Sequence, residues 1–163
     1  MSMTRIIARI LGVALVAGGL STTAVAQQIS DFSLIDHNGR FHQVSRYADH
    51  DAMVLFVYDM NSEVVEDALR DLNREIERFA EANVAFFMIE STGVADKAII
   101  SAAANDAEIA IPVLVDDTQL VSEELGVTRA AQVVVINPAA REVIYSGSLN
   151  DRFTEGSDRG RAR

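Results

Sequence analysis

Ala52-Met53-Val54-Leu55-Phe56-Val57-Tyr58 is an unbroken apolar and aromatic run with no polar residue to mark a solvent face. A strand of that kind has to be covered on both sides, which asks for a sheet sandwiched between layers. A short polar stretch, Asp59-Met60-Asn61-Ser62, follows it. Val65, Leu69, Leu72, Ile76 and Phe79 then recur at three- and four-residue spacing up to Glu81. That period predicts one apolar stripe on a helix opening near Ser62. A buried strand, a loop and an amphipathic helix in that order point to an α/β architecture.

The remaining segments agree. "DFSLIDHNGRFHQVSRY" alternates apolar and polar residues around Asn38-Gly39, a pair tolerant of positive φ, and predicts a β-hairpin. "NVAFFMIES" predicts a second buried strand, 94–106 a short Ala-rich helix, and "IPVLVDD" a short strand closing on an acidic turn. "TQLVSEELG" predicts one or two helical turns stopped at Gly126. "AAQVVVINPAAREVIYSGSL" predicts two strands around Asn137-Pro138, as an antiparallel edge. Residues 154–163 are polar and aperiodic, a composition expected of a disordered tail.

Residues 1–26 form a separate unit. Arg5 and Arg9 precede an apolar run from Ile10 to Leu20, and small residues end at Ala24-Val25-Ala26. This is the three-part order of a secretory signal, with cleavage expected after Ala26. The apolar run is about half the ~20 residues a membrane span needs; retention as an anchor is the alternative. Export, most simply to the periplasm, is the expected localisation.

Two counts restrict function. The net charge is −10, and removing residues 1–26, with two arginines and no acids, leaves 12 basic against 24 acidic residues, or −12. Such a chain repels phosphate backbones, so nucleic acid is not an expected partner. There is no cysteine. The thiolate is the nucleophile of every thiol–disulfide and thiol-peroxidase step, so that chemistry is closed to this chain.

The element order and three phrases resemble the thioredoxin-like superfamily, specifically the redoxin type related to alkyl hydroperoxide reductase and thiol-specific antioxidant proteins. The phrases are "DFSLIDHNGRFHQVSRY", "VLFVYDMNSEVVEDAL" and "IPVLVDDTQLVSEELGVTRAAQVVVINPAAREVIYSGSLNDRF", the last being the most specific. The resemblance implies an α/β thioredoxin-like three-layer sandwich, a mixed central sheet with helices on both faces, over residues 28–153. It also places the family's attacking cysteine at Ser62, the second cysteine of its Cys-x-x-Cys pair at Val65, and its cis-proline at Ala131. The three are vestigial redox-site positions. The family pattern continues into a further helix; whether that helix is dispensable here or the chain is truncated stays open.

Other candidates rest on the residues themselves. Ser62 with Glu63, Glu66 and Asp67 lacks a neighbouring histidine and a Gly-x-Ser-x-Gly elbow, so a helix-capping role for Ser62 or Asn61 is the expectation. His37 and His42 flank the Asn-Gly turn and could face each other across the hairpin. With His50 and Asp36, Asp49 or Asp51 they are weak metal candidates, set against three exposed loop histidines. Asp116 and Asp117 close a strand where ligands often bind, but an N-cap at Asp117 or Thr118 explains them equally. Met53 and Met60 bracket the first buried strand. Met60 is an adaptable apolar residue beside the vacated site.

The expected function is therefore an exported binding or structural module without catalytic residues, cofactor or metal. Its partner would be another exported protein, met at Met60, Asn61, Ser62, Arg129, Ala130 and Ala131. The membrane would be touched only through an uncleaved signal, and the oligomeric state is left open. The alternatives are a thioredoxin- or peroxiredoxin-type oxidoreductase, as the resemblance implies, or a thiol-independent metal-dependent enzyme.

Overall fold

The computed structural model describes residues 27–94 and 96–149. The expected signal, the tail at 154–163 and residues 150–153 at the end of the last family phrase lie outside them. Strand β4 (Ala52–Tyr58) is buried along its whole length, as its sequence demands. It pairs in parallel with β5 (Val84–Glu90), which pairs in parallel with β6 (Val113–Val115). On its other side β4 runs antiparallel to β7 (Gln132–Asn137), and β7 to β8 (Glu142–Ser148). The predicted hairpin is β2 (Ser33–Asp36) with β3 (Phe41–Gln43), docked antiparallel on β6. One unexpected element closes the far edge: β1 (Gln27–Gln28) pairs with β8, so β8 is not the edge strand. The sheet order is β1-β8-β7-β4-β5-β6-β2-β3.

Side-chain alternation along β4 divides the core in two. Ala52, Val54, Phe56 and Tyr58 pack with helices α1 (Glu63–Arg78) and α2 (Lys97–Asp106). Met53, Leu55 and Val57 pack against Val44 of a 3-10 turn (Val44–Tyr47) and Val121 and Leu125 around the short helix α3 (Leu120–Glu124). The three-layer arrangement follows from this period of two.

Helix α1 buries Val65, Ala68 and Leu72, with Leu69 and Ile76 half-covered, which is the predicted stripe. Burying a side chain such as Leu72 stabilises by roughly 1.5–3 kcal/mol, and truncating it costs about 2–5 kcal/mol because a cavity remains. Helix α3 ends as predicted at Gly126, whose φ is +66°. The Gly126 N–H donates to Glu123 O and the Val127 N–H to Ser122 O, the two bonds of a Schellman cap.

Candidate functional site

Strands β4, β5 and β6 all end at one pole, where β4 passes through Asp59 and Asn61 into α1. Asp59 organises the crossing: its Oδ1 accepts the Asn61 N–H at 2.9 Å and its carbonyl accepts the Ser62 N–H at 3.1 Å. Ser62 stands at the N-cap of α1, and its carbonyl accepts the Val65 N–H. Its hydroxyl, however, makes no capping bond, which corrects the expected role while keeping the position. Glu63 and Glu66 in the first turn complement the helix dipole instead. No described residue offers the Ser62 hydroxyl a hydrogen-bonding base, and a serine without one is a poor nucleophile.

The facing loop, Thr128–Ala131, is fixed from behind. Gln132 is buried; its Oε1 accepts the Thr128 N–H at 2.9 Å and its Nε2 donates to Gly126 O and Ser146 Oγ. Arg129 donates to Ser148 Oγ at 2.9 Å. Ala131 is buried with φ +57°, a left-handed conformation that alanine adopts at a cost, and its N–H donates to Val57 O at 2.9 Å. No peptide bond among the described residues is cis. Ala131 and Val65 meet in one apolar cluster, so two of the three positions that the resemblance sets at the redox site are packed core.

Two clefts open on either side of Asp59. The first, about 490 Å³, lies towards α3 and is lined by polar groups including Thr92, Gln119 and Arg129, with Ala130. The second, about 410 Å³, lies between the start of α1 and the end of α2. Tyr58, Met60, Val65 and Leu69 line it, as do the carboxylates of Asp59, Glu66 and Asp106. Burial pushes the Tyr58 phenol above its ordinary pKa, and the negative charges of Glu90, Asp59 and Glu66 push it further.

Glu90 escaped the sequence reading. It closes β5 opposite Tyr58, wholly buried, with its Oε1 accepting from the N–H and hydroxyl of Thr92. Its Oε2 has no hydrogen-bond partner among the described residues. The available signal was an acid ending a buried apolar run, where any polar group needs an account.

The other candidates resolve into structure. His37 and His42 are not cross-strand partners, because the register sets His42 against Leu34. His37 Nδ1 accepts the Val113 N–H at 3.1 Å. Nor is His42 an exposed loop residue: it is mostly buried, bonded to Asp36 Oδ2 at 3.0 Å and to the Tyr47 hydroxyl at 2.6 Å. Asp36 Oδ1 also accepts the Asn38 and Arg40 N–H groups, each at 2.9 Å. Burial pushes the Asp36 carboxyl up, but the Arg40 amide, His42 and the Asn38 amide outweigh it and hold it below its ordinary value. Of the two turn residues only Gly39 uses positive φ. His50 bonds Asp49 at 3.0 Å, and Asp51 is exposed. No three metal-ligating side chains cluster among the described residues.

Asp117 and Thr118 do not cap α3; Gln119 holds that position with φ +60°. Asp116, fully buried, supplies the cap from one turn earlier, accepting Ser122 N–H at 2.7 Å and Ser122 Oγ at 2.6 Å. Both carboxylate oxygens are engaged, since Oδ1 takes the Val121 N–H at 3.4 Å.

A model of the AhpC/TSA family matches residues 25–145. Among solved structures, the chain is similar to a hypothetical protein from Sinorhizobium meliloti 1021, with a TM-score of 0.69 and 17% identity over 84% of this chain and 77% of that one. It is also similar to the exposed lipoprotein thioredoxin Etrx1 of Streptococcus pneumoniae strain TIGR4, with a TM-score of 0.63 and 20% identity over 73% and 89%. Peroxidoxin BcpB of Mycobacterium tuberculosis aligns with a TM-score of 0.59 and 24% identity over 76% and 84%. These likenesses show a thioredoxin-like fold. A search of curated proteins finds no match.

Proposed function

The chain belongs to the AhpC/TSA family, and from that premise we propose that it is an exported, redox-silenced member acting as a binding module. One observation carries this: the helix opening where the family's thiol chemistry resides holds Ser62, with no activating base, in a chain without cysteine. The scaffold around that opening is nevertheless held firmly by Asp59, Gln132 and the Ala131–Val57 bond. A rigid pole flanked by two clefts suits recognition without turnover. The surface we assign to a partner is Met60, Asn61, Ser62 and the Arg129–Ala131 loop, of which Ala131 contributes backbone only because it is buried.

Export is supported by the charge-apolar-small order of residues 1–26. No helix among the described residues is long and apolar enough to cross a membrane. N-terminal sequencing of the product recovered from an exporting host should begin at Gln27; an intact Met1 would overturn cleavage.

The redox assignment is tested by peroxide and disulfide reduction with dithiothreitol, the native chain beside Ser62→Cys. The native chain should be inert. The variant should react faster than free cysteine, because a helix N-terminus favours the thiolate. Turnover by the native chain would overturn the proposal and point to non-thiol chemistry.

A further inference from the structure

Of the two clefts beside Asp59, the one between α1 and α2 has a chemically lopsided wall. Tyr58, Met60, Val65 and Leu69 make it apolar, and every ionisable group lining it other than the Tyr58 phenol is a carboxyl: Asp59, Glu66 and Asp106. Asp106 is the last residue of α2, a helix with no basic residue in its final turn. An acid at the negative end of a helix is unfavourable unless a cation comes to it. Glu90 lies behind this wall, one strand over from Tyr58 on the α1/α2 side of the sheet, but it is wholly buried and is not one of the residues lining the cleft.

A cation would answer the rim carboxylates and the negative end of α2 together. A metal ion is a poor fit, since no three ligating groups converge among the described residues. A long side chain with an apolar stem and a charged head fits better. Its methylenes would lie along Met60, Val65 and Leu69, and its head would meet the rim acids and the Tyr58 ring. We propose that this cleft receives an arginine or lysine side chain of the partner protein, arginine being favoured because its planar head can bond two carboxylates at once. The chain's net charge of −10 would steer such a partner in. This rests on the binding-module function proposed above and names the chemistry of its partner.

The test follows the isotope-labelled chain by NMR while titrating two capped pentapeptides. One carries a central arginine between leucines; the other carries citrulline, its neutral isostere. The arginine peptide should shift amides of Asp59–Leu69 and Ala103–Ala107 and bind about tenfold more tightly, a gap of about 1.4 kcal/mol. That gap should shrink as salt rises to about 1 M, where the screening length falls to about 3 Å. Glu66→Gln with Asp106→Asn, both exposed positions, should abolish the preference without unfolding the chain.

Equal binding of the two peptides at this cleft would overturn the cationic assignment and leave the binding module standing. Shifts confined to Thr128–Ala131 would do the same, moving the partner to the other cleft. Absence of any shift with either peptide, up to millimolar concentration, would overturn the cationic assignment. It would also remove support from the binding module, whose redox silence is judged separately by the Ser62→Cys assay.

Discussion

The hairpin and the strand-end pole differ in how completely their polar groups and backbone are matched. At the hairpin, Asp36, His42 and Tyr47 form a closed chain in which both carboxylate oxygens and both imidazole nitrogens are engaged. At the pole, Glu90 Oε2 is orphaned, the Ser62 hydroxyl does not cap its helix, and Ala131 sits in a left-handed conformation. Satisfied buried networks hold a fold rigid, whereas unmatched groups cost stability and persist where something other than folding retains them. The difference sets a purely architectural hairpin against the pole to which we assign the partner.

The largest expected effect lies on the hairpin side. Asp36→Ala strands two amides and the His42 ring, and should lower stability at neutral pH by about 3 kcal/mol, read from urea unfolding. Because the folded carboxyl lies below its ordinary value of 3.8, the native state binds this proton less tightly than the unfolded chain. Its contribution is therefore full above that value and is lost as pH falls through the lower folded pKa. The variant should show a flatter acid limb; an unchanged limb would assign acid sensitivity to other carboxyls.

Next comes Ala131. Placing proline there, where the resemblance sets the family's cis-proline, removes the N–H bonded to Val57 O and imposes φ near −65° on a residue at +57°. Ala131→Pro should cost about 3 kcal/mol, and Ala131→Gly should gain about 1 kcal/mol by relieving the left-handed backbone. Thermal melts of the pair would decide it. Stabilisation by proline would show that the loop accepts a proline path in spite of the left-handed backbone at Ala131.

Smaller effects sharpen the contrast. Glu90→Gln keeps an acceptor for Thr92 while neutralising the carboxyl, and should change stability by less than about 1 kcal/mol, where a partnered buried carboxylate would cost more. Ser62→Ala should be nearly silent, below about 0.5 kcal/mol, although N-cap serines are ordinarily worth about 1 kcal/mol. A full capping penalty would mean that its hydroxyl does bond the helix in solution.

Much of this was legible in the chain. The continuous run at Ala52–Tyr58, the stripe at Val65–Phe79 and the stop at Gly126 are local patterns, and local hydrogen bonding and side-chain period enforce them. The pole's positions were legible only by resemblance, and its finer chemistry was not legible at all. Asp117 and Thr118 look as suited to cap α3 as Asp116 does, and only the path of the turn, through Gln119 at positive φ, selects Asp116. His37 and His42 read as a pair until the register puts His42 beside Leu34 and hands its ring to Asp36 and Tyr47.

The amino-acid sequence by itself determined the layered α/β frame, because an all-apolar strand and a one-sided helix leave few other ways to exclude water. It also determined that no thiol can react here, since that depends on composition alone. The tertiary structure decided which polar groups are partnered. Glu90 and Tyr58 are separated by 31 residues between them in sequence yet lie opposite each other in the sheet. Asp106 reaches the same cleft as Glu66 only because α1 and α2 pack on one face. Hydrogen bonds and charge pairs depend on distances of a few ångströms between segments remote in sequence, and packing alone sets those distances.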